Sequence, residues 1–144
     1  MRERLVIGWR EWVGLPGLGG VRLRGKIDTG AKTSALHARG LKVEEREGRE
    51  MARFRLRPDG IGPAKWLTVE AEIVARRSVR SSNGVAEERP VISTEIVIGG
   101  RRWRAEVTLT NRGDMTYAML IGREALRGRA VIDPGASYAA GRRR

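Results

Sequence analysis

Cysteine is absent from the 144 residues and histidine occurs once, at His37. The first absence excludes disulfides, thiolate zinc sites and a cysteine nucleophile. The second leaves no His-Glu-x-x-His run and too few nitrogen donors for zinc, which takes three or four Cys, His or carboxylate ligands at helical or hairpin spacing. His37 therefore reads as a packing or loop histidine. No apolar run approaches the about 20 residues of a spanning helix. The start, Met1-Arg2-Glu3-Arg4-Leu5, lacks the apolar stretch of a secretion signal. A cytoplasmic protein with no membrane partner is expected. Acid is also scarce: 17 Asp and Glu stand against 29 Lys and Arg, a net charge of +12. Such a surplus attracts anions, and nucleic acid, an anionic membrane face and an acidic polypeptide are all candidates.

What is present is period-two alternation. Ala52, Phe54 and Leu56 alternate with Arg53, Arg55 and Arg57, and Leu67, Val69, Ala71 and Ile73 form a second row. Ile96 and Ile98 lead to Gly99-Gly100, after which Trp103, Ala105, Val107 and Leu109 alternate again. Each row predicts a strand with one buried face. Gly99-Gly100 and Asn83-Gly84 are hairpin turns by composition. Helical pattern is thin: one or two turns within Thr33 to Arg39 and a short helix within Gly122 to Leu126. The expected fold is mainly β, a small closed barrel with one or two short helices. It is taken as one domain over residues 1–140 with a basic tail at 141–144.

A strand ending Lys26-Ile27 delivers Asp28 into Thr29-Gly30-Ala31-Lys32-Thr33. Glycine lets such a turn approach a neighbour closely, and a threonine hydroxyl can bond a second copy of the loop. Two carboxylates held face to face cannot both ionise, so they share one proton. That is the aspartic-protease arrangement, which serves as the standard example of such a pair. Three turn residues alone recur by chance, so the flanks carry the weight. Asp28-Thr29-Gly30-Ala31 resembles the active-site loop of retroviral-type aspartic proteases, and Leu120-Ile121-Gly122-Arg123 resembles their later apolar strand ending in Gly-Arg. The match sharpens to one bacterial group, the RimB-like retropepsins labelled ATP-dependent zinc proteases, whose genes accompany RimK-type glutamate ligases. Residues 7–13, 26–38, 87–92, 106–112 and 120–138 carry it in order.

That resemblance implies the acid-protease barrel and an aspartic endopeptidase with Asp28 catalytic. Thr29, Gly30, Ala31 and Thr33 would form the active loop, and Leu120, Ile121, Gly122 and Arg123 its supporting strand. One clear Asp loop per chain implies a homodimer, whose twofold interface is self-complementary. Asp133-Pro134-Gly135 is a second apolar-Asp-x-Gly, but Pro134 has no hydroxyl and no N–H, so Asp133 reads as a structural turn. No internal repeat is visible. In such proteases a mid-chain hairpin covers the substrate, and by position the basic hairpin from Ala75 to Arg89 would be that flap, with Arg76, Arg77, Arg80, Asn83 and Gly84 as substrate-binding candidates; the alternative is a solvated, charge-rich edge hairpin. Arginine forks favour carboxylates, and the ligase neighbourhood suggests glutamate-rich tails of proteins such as ribosomal protein S6. A polyglutamylated protein, a glutamate ligase and the ribosome are the implied partners.

The label's zinc and ATP are not expected as cofactors. Gly20-Val21-Arg22-Leu23-Arg24-Gly25-Lys26-Ile27 matches a phosphate-binding loop until Ile27, where a hydroxyl must hold magnesium. Arg112-Gly113-Asp114 is most simply a turn. Trp9 and Trp103, among the four tryptophans, fall in apolar rows and suggest packing. A non-catalytic module of the same fold that binds acidic protein or RNA is the competing reading.

Overall fold

Each alternating row forms a strand, and its apolar side chains meet in a single core. The computed structural model describes residues 3–58, 66–80, 84–111 and 116–141. Its strands are β1 (Leu5–Ile7), β2 (Arg10–Leu15), β3 (Val21–Asp28), β4 (Ser34–His37), β5 (Arg39–Arg46), β6 (Arg49–Leu56), β7 (Leu67–Arg80), β8 (Ala86–Ile98), β9 (Arg101–Thr110), β10 (Met119–Gly122) and β11 (Ala130–Ile132). A short helix, α1 (Arg123–Leu126), follows β10. Ala52, Phe54 and Leu56 of β6 and Trp103, Ala105, Val107 and Leu109 of β9 are all buried, as are Ile96 and Ile98 of β8. In the β7 row Val69 and Ile73 are buried while Leu67, at its end, is exposed.

Strands β2, β3, β10, β4, β9 and β8 lie side by side in that order, and a pairing of Gly14 on β2 with Val97 on β8 closes them into a six-stranded barrel. Closure removes the free edges that would otherwise recruit other chains. From β8 the sheet runs on through β7, β6 and β5 as an open wing. β1 and β11 form a separate parallel ribbon. The β8–β9 turn is Gly99-Gly100, with φ of +59° and +80°. A tight hairpin turn of this hand needs positive φ at both central residues, which glycine adopts without strain.

One expectation needs correction. Residues 34–37 are not helical but form β4, which lies between β10 and β9. Pairing on both sides satisfies its backbone, and Ser34, Ala35 and Leu36 are buried, so tertiary contact overrides weak helical preference. The proposed hairpin does form, with Arg77 opposite Arg89 and Arg80 opposite Ala86. Its expected tip at Asn83 lies outside the described residues, as do Arg112-Gly113-Asp114 and tail residues 142–144.

Candidate active site

Asp28 is the last residue of β3, and Gly122 of β10 sits beside it in the parallel register. The chain then turns sharply. The Asp28 Oδ1 accepts from Gly30 N–H at 3.1 Å and its carbonyl accepts from Ala31 N–H at 3.1 Å. This is an Asx-type turn, for which aspartate and glycine are the favoured residues. The loop is tied to the strand behind it. Arg123 N–H donates to the Ala31 carbonyl at 2.9 Å and Glu124 N–H to that of Lys32 at 3.1 Å. These are first-turn helix donors that lack intrahelical partners, so α1 starts by using them on the Asp28 loop. The Arg123 guanidinium adds bonds to the Thr29 and Gly30 carbonyls at 3.3 and 3.2 Å.

Behind the loop, buried Ser34 links three strands. Its Oγ accepts from Gly122 N–H at 3.0 Å, and its carbonyl accepts from the Thr108 hydroxyl at 3.1 Å. Gly122 is required for closeness rather than for φ: a Cβ there would lie 2.6 Å from the Thr33 carbonyl carbon and oxygen. Asp28 is thus half-buried at the end of a rigid strand, in a loop with few remaining degrees of freedom.

The loop opens on a cleft of about 710 Å³ floored by Ala31, Thr33, Ala35, Thr108 and Leu120 and walled by the β7–β8 hairpin. Among the described residues lining it, Asp28 is the one carboxylate, against Lys26, Lys32, Arg77, Arg80 and Arg89. The flap candidates divide. Arg77 and Arg80 line the cleft, whereas Arg76 takes the other face of the hairpin and pairs with Glu50 at 2.9 Å. Arg77 also pairs with Glu106, and the Arg80 guanidinium donates to the Gly84 carbonyl at 2.7 Å. Ile121 is core, while Leu120 faces the cleft. Sequence reasoning missed Lys26, Lys32 and Arg89 as lining residues; alternation along β8 placed no special weight on an arginine directly before an apolar run.

The second Asp loop repeats the first in detail. Asp133 Oδ1 accepts from Gly135 N–H at 3.0 Å and its carbonyl from Ala136 N–H at 3.1 Å. β11 leads into it beside a parallel strand, β1, that is followed by a glycine, Gly8. Trp9 N–H donates to the Ala136 carbonyl at 2.8 Å, as Arg123 does to Ala31. A Cβ on Gly8 would lie 2.2 Å from that carbonyl oxygen. An internal repeat of local geometry therefore exists where none is legible in the residues. Asp133 is exposed and does not line the Asp28 cleft.

Elsewhere, Trp103 is buried and donates from Nε1 to the Ala125 carbonyl at 2.9 Å. His37 lies at the far end of β4 from the loop, and burial, then the charge of Arg39, hold its imidazole below the usual histidine range. Among the described residues no helix is long and apolar enough to cross a membrane.

A closed six-stranded barrel carrying an Asp-Thr-Gly turn clamped by a Gly-Arg strand end defines a retropepsin-like protein. The chain belongs to the RimB-like family, described as retropepsin-like aspartic endopeptidase RimB, which matches residues 6–143. It is 40% identical over 139 residues to a protein of Shewanella pealeana named "Probable alpha-L-glutamate ligase", covering 96% of this chain and 30% of that one. A protein of the same name from Parasynechococcus marenigrum is 37% identical over 98% of this chain and 30% of its own length. The chain thus spans about 30% of the length of these relatives. A crystal structure of a Legionella pneumophila protein of unknown function superposes with a TM-score of 0.78 at 27% identity, over 96% of this chain and 99% of that one.

Proposed function

We propose that this chain is one half of an aspartic endopeptidase, in which Asp28 of two copies forms a shared dyad that hydrolyses peptide bonds in acidic chains. The carrying observation is Asp28 itself, the one carboxylate among the described residues of a cleft whose loop is fixed by Gly122, Arg123 and Ser34. A single carboxylate cannot act as both acid and base at once, so a second copy supplies the other. One Asp28 is ionised and takes a proton from water as the water attacks the scissile carbonyl. The other is protonated and polarises the carbonyl oxygen, and a proton then reaches the leaving nitrogen. Water and two carboxylates balance this reaction, so it is written without zinc or ATP.

The five cations around Asp28 support an acidic peptide or polyglutamylated protein as substrate. The relatives' name supports association with a glutamate ligase. The test is cleavage of a glutamate-rich peptide by the wild type and by Asp28→Asn, with sedimentation to count subunits. Cleavage should vanish in the variant while its denaturation midpoint holds. Equal cleavage by both proteins sinks the aspartic mechanism.

A further inference from the structure

Four of the five cations in the cleft are exposed or already engaged. Lys26, Lys32 and Arg80 are exposed, and Arg77 is paired with Glu106. Exposed charges attract any anion and are screened by salt. Arg89 differs: the residue is only 4% exposed yet lines the cleft. Burying a guanidinium is costly unless its donors are met. It has five N–H donors, and among the described residues its one side-chain partner is Glu87, which takes the Nε–H at 3.1 Å. Glu87 is itself half exposed, at 52%. Arg89 is also placed directly opposite Arg77 across the β7–β8 pair. Like charges in that position are unfavourable, and they are offset here by Glu106 on Arg77 and Glu87 on Arg89.

We propose that Arg89 is the specificity-determining residue of the cleft, reading a substrate carboxylate through its guanidinium fork, with Glu87 as its positioning residue. This rests on the peptidase reading above. Glu87 holds the Nε edge, which fixes the plane of the fork and leaves the terminal nitrogens for the bidentate geometry that suits a carboxylate. A buried charge selects more sharply than an exposed one, because a ligand without the carboxylate gives its terminal nitrogens no anion in exchange for the water it displaces. The carboxylate could be a glutamate or aspartate side chain, or the C-terminal carboxylate of the peptide. The shared chemistry is the planar anion.

Equilibrium binding to the Asp28→Asn protein tests this independently of turnover. Four peptides separate the sources: a glutamate-rich peptide, its glutamine counterpart, and each with an amidated C-terminus. A charge-assisted pair implies about 10- to 100-fold tighter binding of the glutamate peptide than the glutamine one. In Asp28→Asn carrying Arg89→Met that ratio should fall close to one. Arg89→Lys keeps the charge but not the fork and should retain only a small part of the preference. A loss on C-terminal amidation instead of on Glu→Gln exchange assigns the terminal carboxylate. Denaturation curves of both variants establish that they fold; Arg89→Lys is the fallback if Arg89→Met does not. A preference for the carboxylate peptide, whether Glu over Gln or free over amidated C-terminus, that is unchanged in folded Arg89 variants overturns the inference, as does equal binding of all four peptides. Failure of the peptidase reading is distinct: the wild type then cleaves nothing, whatever the binding ratio.

Discussion

Replacing Gly122 by alanine puts a methyl carbon 2.6 Å from the Thr33 carbonyl carbon and oxygen and 3.0 Å from the Ala31 oxygen. Ordinary non-bonded carbon contacts lie at about 3.5–4.0 Å, so β10 and the active loop must part by about 1 Å. The obstacles are backbone atoms, which cannot swing aside as a side-chain end would. Gly122 has φ of −82°, ordinary for any residue, so backbone strain contributes nothing and the cost is steric. Parting the two segments stretches the bonds from Gly122 N–H to Ser34 Oγ, at 3.0 Å, and from Arg123 N–H to the Ala31 carbonyl, at 2.9 Å. Overpacking of this kind costs about 1–3 kcal/mol, and two weakened bonds add about 1 kcal/mol each at most. A loss of about 2–4 kcal/mol follows, measurable by urea denaturation. A displacement of about 1 Å at a reacting group can cost 100-fold in rate, so the proposed peptidase activity should fall by more than stability alone explains. Gly128→Ala is the control. Gly128 has φ of +74° and no atom within 4 Å of a new Cβ, so it tests backbone strain without the clash and should leave Asp28 untouched. If Gly122→Ala matches the wild type in both stability and activity, the clamped loop is not what holds Asp28.

Two further outcomes follow from groups away from the cleft. Glu11 is buried, and its carboxylate accepts from Gly8 N–H at 2.6 Å and from Ala140 N–H at 3.2 Å, tying both ends of the described chain to the barrel. Glu11→Ala leaves these donors unmet and should destabilise by about 2–4 kcal/mol, read by thermal or urea unfolding; a midpoint shift within error contradicts the role. His37 is held below 6.5 in the fold by burial and then by Arg39. Between its folded value and 6.5 the unfolded chain therefore binds more protons, so the His37 contribution is complete above 6.5 and is lost as pH falls through the folded value. His37→Gln should flatten the stability decline just below pH 6.5; identical slopes in both proteins refute it.

Much of the barrel was legible because its signals are local. Alternation of buried and exposed residues reports a strand from its own side chains, and so β6, β7, β8 and β9 could be read from residues 52–109. The Gly99-Gly100 turn and the helix after Gly122 were equally self-announcing. Ser34-Ala35-Leu36-His37 was not, because four residues without alternation carry no period. Their state is set by β9 and β10, whose residues lie more than 70 positions away in sequence. The Asp28 loop was legible as a motif and through its family flanks, while its clamp was not: Ser34, Thr108 and Arg123 meet only when β10 enters beside β3.

The basic hairpin shows the division most plainly. Its arginines could be counted in the sequence, but their sides could not be assigned, because a bulge between Ile73 and Ala75 shifts the register that decides which residues face the cleft. Arg76 turns to Glu50, and Arg89, not singled out by pattern, becomes the buried charge lining the Asp28 cleft. The repeat of the Asp28 turn at Asp133 is likewise a matter of backbone hydrogen bonds, which different side chains satisfy equally well. The sequence by itself determined a mainly β chain of one family, with Asp28 in a tight turn. Those properties reside in residue identity and short-range period. Which strands close the barrel, what fixes the aspartate and which arginine is buried in its cleft were decided only by tertiary packing, because each depends on contacts between segments that no local pattern encodes.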